Sequence, residues 1–165
     1  MTTAVRRWRL EPHPEGGFYR ETYRSGLRTV PPGWPGERAL ATAILYLLPA
    51  GVRSAWHRVR GDELWLWQGG APMALFIGDE ARYIDDEARY AGDEARQVGP
   101  DPAAGQELQV LVPAGAWQSA TPGAATPGAV GPGAAGRGAA EPWSLVACLV
   151  APGFDFADFE LRGES

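Results

Sequence analysis

Apolar residues are gathered into short runs, and six of these read as strands: residues 18–23, 39–48, 63–67, 73–77, 108–112 and 144–150. Each run is bounded by glycine, proline or a charged cluster, the punctuation that strands carry. Within 63–67 the two-residue alternation puts Glu63, Trp65 and Trp67 on one face, so a carboxylate and two indoles point the same way. With 22 glycines and 15 prolines among 165 residues, long helices are improbable. The pattern predicts an all-β chain, a sandwich or small barrel whose interior is lined by alternate residues and could hold a ligand.

Two stretches read as flexible insertions in a single domain spanning 1–165. Residues 121–142 are mostly Ala, Thr, Gly and Pro, too poor in large apolar groups to offset the entropy of ordering them. The other, about 79–105, holds a seven-residue repeat in which Asp79-Glu-Ala-Arg-Tyr83 recurs from Asp86 and again from Asp93. Its copies read as an expanded hairpin connection; a charged docking surface or a helical face is the alternative, and they are too short of apolar residues to build a solenoid.

The remaining composition narrows the partners. Hydrophobic residues make up 45% of the chain and charged residues 21%, enough apolar material for one core. A net charge of −5 argues against a nucleic-acid surface built on bulk positive charge. Lysine is absent, which removes Schiff-base chemistry and leaves arginine as the only cationic anchor. No apolar run approaches the roughly 20 residues that cross a bilayer, so no membrane partner is expected. The lone Cys148 makes no internal disulfide and reads as a buried, inert thiol. The arginines around Trp8 lack the apolar centre of a signal peptide, so a cytoplasmic protein is expected.

Histidine is scarce, only His13 and His57, and His57 stands in the more informative setting. Gly51, His57, Glu63 and Gly70 frame two strands, while residues 109–118 run a strand into the Pro113–Gly115 turn and end on Gln118 beside Trp117. Three readings of His57 stay open. It holds a divalent metal with Glu63 and Gln118, for which iron, manganese, zinc or nickel are the candidates. It transfers protons, oriented by Glu63 or Asp62. Or it is a buried histidine satisfied by a neighbour.

On 18–23, one alternating set faces inward. If Phe18, Arg20 and Thr22 do, Arg20 grips a ligand carboxylate or phosphate, with a salt bridge to Glu15 or Glu21 as the alternative. Tyr19 belongs to the other set and is kept as a ligand contact. Trp56, Trp65, Trp67 and Trp117 serve as stacking walls or as core. His13, between two prolines, reads as a turn element before a ligand. Asp155 caps a turn or orients a pocket group.

The spacing of Gly51, His57, Glu63 and Gly70 resembles the first motif of the cupin superfamily, and Pro113, Gly115 and Gln118 the second. Val59 and Gln118 stand where that superfamily usually carries two of its metal-binding histidines. Beyond those motifs, residues 12–25, 57–65, 112–118 and 150–160 resemble the signature blocks of the cupin-5 family, domain of unknown function 985. Leu66 departs from the histidine common there, and 121–142 is longer than the family leads one to expect. The resemblance implies a jelly-roll double-stranded β-helix, a homodimer, and kinship with seed-storage cupins and with epimerases of nucleotide-linked 4-keto sugars.

Three functions follow as expectations. One is an isomerase-like or epimerase-like cupin acting on a sugar or other carbonyl-containing anionic metabolite, with His57 moving the proton and Arg20 as anchor. A second is a non-catalytic metabolite-binding or storage-like module, and a third a metal-dependent cupin enzyme.

Overall fold

The computed structural model describes residues 3–78, 95–123 and 143–162. A five-residue helix, α1 (Thr3–Arg7), precedes β1 (Glu11–Pro12), β2 (Phe18–Arg24), β3 (Arg28–Thr29), β4 (Arg38–Ala39) and β5 (Thr42–Pro49). There follow β6 (His57–Val59), β7 (Asp62–Gly70), β8 (Met73–Gly78), β9 (Arg96–Val98) and β10 (Gln109–Val112). The chain ends with β11 (Trp117–Pro122), β12 (Trp143–Ala151) and β13 (Phe159–Leu161). All pairings between these strands are antiparallel, in a six-stranded sheet ordered β1-β2-β5-β12-β7-β10, a five-stranded sheet ordered β13-β6-β11-β8-β9, and a β3-β4 ribbon.

The all-β jelly roll is therefore the fold, though its sheets face one another without closing into a hydrogen-bonded barrel. The core lies between them. Tyr46, Trp65, Val110, Val146 and Cys148 of the larger sheet meet Met73, Leu75, Val98 and Ala120 of the smaller. Strand register fixes which residues contribute. Across the larger sheet, one row runs Ile44, Cys148, Trp65, Val110, and the next runs Thr42, Val150, Glu63, Val112, both facing the smaller sheet. The interleaved rows, Arg20-Leu45-Ala147-Leu66 and Tyr23-Ala43-Leu149-Leu64-Leu111, face away. Glu63, Trp65 and Trp67 do share the inner face, as their alternation predicts.

Arg20 stands in an outward row, so it does not line the interior. The inward set of β2 is Tyr19 and Glu21; a register shift between Glu21 and Tyr23 then brings Arg24 opposite Thr42 in an inner row. The run at 39–48 also divides: Ala39 closes the β3-β4 ribbon, and β5 starts at Thr42. Strand β11 is polar enough to escape a hydrophobic pattern, yet it lies central and buried. Ser119 there donates to the Ser54 carbonyl at 2.7 Å, and the Ser54 hydroxyl accepts from the Ala120 amide at 2.8 Å. Of the stretch 79–105, Arg96–Val98 pairs with β8, and Asp101 caps a short 3₁₀ turn at Pro102–Ala104. Residues 79–94, with most of the repeat, and 124–142 lie outside the described residues. No helix among the described residues is long and apolar enough to cross a membrane.

Gly17 illustrates how tightly the N-terminal block is seated. Its φ is +69°, and a Cβ there would stand 2.6 Å from the Leu47 carbonyl and 2.8 Å from a Leu48 methyl. Gly115 has a similar φ, +75°, with open space around it. Gly115→Ala is therefore expected to cost about 1 kcal/mol, a fall in Tm of roughly 2–4 °C. Gly17→Ala adds the clash and should lower Tm more than twice as far; equal falls in thermal melts would refute the seating argument.

Candidate functional site

The pocket is built where two loops meet the inner faces of the sheets. The segment His13-Pro14-Glu15-Gly16-Gly17 folds back on itself, the Gly16 amide donating to the His13 carbonyl at 3.0 Å and the His13 amide to the Gly17 carbonyl at 3.2 Å. Flanking prolines restrict the backbone here, and the left-handed glycines complete the turn. The stretch leading into β6 is laced to it: the Ala55 amide donates to the Glu15 carbonyl at 2.7 Å, two residues before His57. Both side chains are thereby delivered to one buried place.

His57 is 2% exposed. Its Nδ1 lies 2.8 Å from the Ala55 carbonyl oxygen, which can only accept, so Nδ1 carries the hydrogen and Nε2 offers its lone pair. Nε2 is 3.1 Å from Oε2 of Glu15, and His13 Nδ1 is 3.5 Å from the same oxygen. Burial pushes the Glu15 carboxyl up to about 8, against a weaker downward pull from the Tyr46 hydroxyl. Burial also lowers His57, and burial together with the charge of His57 brings His13 down to about 4. At neutral pH the pair is a neutral acid beside a neutral base, with Glu15 donating to Nε2.

Glu63 faces this pair from the larger sheet. Gln118, paired across the smaller sheet with His57, bridges the gap: its amide nitrogen donates to Glu63 Oε2 at 2.5 Å, and its carbonyl accepts the Trp65 indole N–H at 3.0 Å. Burial raises the Glu63 carboxyl, His57 opposing. The buried Cys148 thiol donates to Glu63, and burial, then the charges of Glu63 and Glu15, push it well up. A cavity of about 230 Å³ opens beside these groups, its wall completed by Tyr19, Tyr46, Val59, Phe154, Phe156 and Phe159.

Of the residues picked out from sequence, the structure gathers His57, Glu63 and Tyr19 around the cavity, with Gln118 directly behind Glu63. Asp62 is elsewhere: it is exposed and accepts from the Ala114 amide at 2.9 Å, so the Ala55 carbonyl, and neither Asp62 nor Glu63, sets the His57 tautomer. Trp65 and Trp67 pack into the core behind the cavity. Trp117, next to the inward Gln118, instead packs under the Arg58 guanidinium at 4.8 Å. Asp155 both lines the cavity and caps a turn through the Ala157 amide.

Sequence reasoning missed Glu15 and Tyr46 and gave His13 mainly a turn. A readable signal existed for Tyr46, the one hydroxyl-bearing residue within the inward series Ile44-Tyr46-Leu48. Glu15 gave none, since a glutamate before two glycines reads as an exposed turn. As for the metal set His57, Glu63 and Gln118, its donor atoms are already committed: Nε2 to Glu15, Glu63 Oε2 to Gln118, and the Gln118 carbonyl to Trp65. Among the described residues no three His, Cys, Asp or Glu side chains converge as ligands. The residues present do not fit a bound metal.

Two facing sheets with a polar cluster buried between them define a double-stranded β-helix of the cupin kind. Residues 2–162 match the Cupin_5 family, described as Cupin superfamily (DUF985), and the chain belongs to it. A hypothetical protein from Leishmania major is 32% identical, with 98% of this chain and 88% of that one covered and a TM-score of 0.74. A structural-genomics protein from Shewanella oneidensis is also 32% identical, covering 97% of this chain and 82% of its own, at a TM-score of 0.70. An uncharacterised double-stranded β-helix protein from Klebsiella pneumoniae shares the fold alone, at 10% identity, coverage of 94% and 91%, and a TM-score of 0.52. No curated protein matches the chain significantly.

The buried acid has a consequence for stability. Between pH 4.5 and about 8 the folded chain holds a proton on Glu15 that the unfolded chain has released, so stability falls as pH rises through that window. His13 acts oppositely between about 4 and 6.5, where the unfolded chain holds the extra proton. Above 6.5 the Glu15 loss is no longer offset by His13. Stability should fall from pH 6.5 to 8, with about 1.4 kcal/mol per pH unit as the ceiling for one proton. Glu15→Gln should remove most of that slope, and parallel slopes in melts at the two pH values would refute the buried neutral acid.

Proposed function

We propose that the chain binds a small carbonyl-bearing metabolite between its sheets and moves a proton on it, as an isomerase or epimerase does. The observation that carries this reading is the Glu15–His57 contact, 3.1 Å, between a carboxyl that burial pushes up to about 8 and an imidazole that burial lowers. Such a couple supplies both partners of an enolisation at neutral pH. With substrate at Nε2 and Oε2, His57 takes the proton from the carbon next to the carbonyl, and Glu15 gives its own to the carbonyl oxygen. For a substrate with a hydroxyl on that carbon, Glu15 then takes that hydroxyl's proton while His57 delivers its own to the former carbonyl carbon, so the carbonyl moves by one carbon and both groups end as they began. Glu63, whose charge favours a protonated imidazole, and Gln118, which holds Glu63, form the opposite wall. The anionic anchor assigned to Arg20 has no support, because that side chain faces outward.

The chain is further proposed to be a homodimer. The outward rows through Ala147, Leu149, Leu64, Leu66 and Leu111 form an apolar sheet face beside the Phe18-Leu47-Leu145 row and Leu45, which pack with α1. A second copy laid on this face would bury both patches in one self-complementary contact.

Solvent exchange tests the chemistry. In deuterium oxide the protein should accelerate label uptake into at least one of pyruvate, dihydroxyacetone and aminoacetone, followed by proton NMR. His57→Ala and Glu15→Gln should each reduce the acceleration by about 100-fold or more. No acceleration with any of the three returns the chain to a binding role. Light scattering checks the assembly: twice the 17.7 kDa chain mass is expected for the native protein and the single mass for Leu64→Arg. A monomeric native protein overturns the dimer.

A further inference from the structure

The mouth of the cavity says what charge its occupant carries. The segment after β12 brings three phenylalanines together as a corner: Phe154 and Phe156 at 5.0 Å and 82°, Phe156 and Phe159 at 6.0 Å and 84°, Phe154 and Phe159 at 5.9 Å and 68°. All three line the cavity, so a cluster of aromatic rings forms part of its wall. His13 and Tyr19, crossing at 86° with centroids 4.6 Å apart, add a further side. Phe156 is 51% exposed although it is large and apolar.

Charge at the rim is one-sided. Glu11, Glu21 and Asp155 line the cavity, against a single guanidinium, Arg24. That guanidinium is already committed, its Nε and one terminal nitrogen donating to Glu21 at 2.9 and 2.6 Å and the other donating to the Phe154 carbonyl at 3.3 Å. An anionic ligand would meet two carboxylates in excess and no unengaged cation in the lining. A ring face attracts positive charge through its quadrupole, and several faces around one space are the arrangement that selects alkylammonium groups.

We infer that this cavity takes a small organic cation, an alkylammonium group seated among Phe154, Phe156, Phe159 and Tyr19 with Glu11, Glu21 and Asp155 around it. The inference rests on the reading of this cavity as a ligand site and adds the charge class of the ligand.

Three probes of similar bulk separate charge from shape: choline, its uncharged isostere 3,3-dimethyl-1-butanol, and pivalate, each titrated against the full chain and followed by calorimetry and NMR shifts. Choline should bind about tenfold more tightly than the alcohol, and pivalate most weakly. Phe156→Ala, at an exposed position, and Phe156→Leu should each loosen choline about fivefold, as should Glu11→Gln combined with Asp155→Asn, in which the asparagine can still cap its turn. Unchanged melting curves would show these variants folded. Equal binding of choline and the alcohol, tighter binding of pivalate, no choline binding, or choline binding indifferent to all the variants would each overturn the cation site. Choline binding without deuterium exchange into any carbonyl probe would keep the cation site and remove proton transfer. Exchange into pyruvate without choline binding would do the reverse.

Discussion

Taking a carboxyl group out of water penalises its charge, and this cavity holds two buried ones, Glu15 and Glu63, beside two imidazoles, its one lining guanidinium, Arg24, being tied to Glu21 at the rim. Burial therefore raises both acids and lowers both bases, toward their uncharged forms. Hydrogen bonds then make that state specific. The Ala55 carbonyl fixes the proton on His57 Nδ1, which turns Nε2 into an acceptor, which in turn gives the Glu15 proton a place to go. Gln118 instead donates its amide N–H to Glu63 while its carbonyl satisfies the Trp65 indole, so one amide serves two neighbours on the opposite sheet. An unsatisfied indole or amide there would cost about 1–3 kcal/mol, so the polar cluster and the apolar core hold each other in place.

The pleat of β2 explains why the cavity has the lining it has. Tyr19 and Glu21 point inward by alternation, and unbroken alternation would next present Tyr23; the register shift after Glu21 moves Tyr23 to the outer rows and brings Arg24 in. Arg24 therefore arrives beside Glu21 and is tied to it, converting what alternation alone would make a free cation into the closed half of an ion pair. One irregularity in one strand thus places the cavity mouth's one lining guanidinium and ties it to Glu21.

Much of the fold could be read from the chain because its strongest signals are local. Short apolar runs, glycine and proline punctuation and the face shared by Glu63, Trp65 and Trp67 all depend on neighbours a few residues apart. Short or polar strands such as β6 and β11 were not legible: β11 reads as surface, and the partners that make its burial tolerable, Ser54 and Glu63, come from distant parts of the sequence. The site divides in the same way. His57, Glu63 and Gln118 stand out through motif spacing, whereas Glu15 joins His57 only because a backbone hydrogen bond from Ala55 sews one turn to another. Arg20 went to the wrong face for a related reason. Alternation says that two sets exist, and only the pairing of Arg20 with Leu45 says which is outside.

The substitution of Val59 and Gln118 for two histidines of the superfamily pattern has a physical counterpart in this interior. Val59 contributes only apolar surface to the cavity, and Gln118 spends its carbonyl on Trp65 and its amide on Glu63. Neither offers a lone pair to the space where His57 and Glu63 approach each other. What these two positions supply instead is low polarity, which raises the Glu63 carboxyl and lowers His57, and a fixed donor, which pulls Glu63 part of the way back. Where a metal-binding pattern would concentrate lone pairs on one point, this chain disperses them among partners, Glu63 held by Gln118, Gln118 by Trp65, and His57 Nε2 set against Glu15.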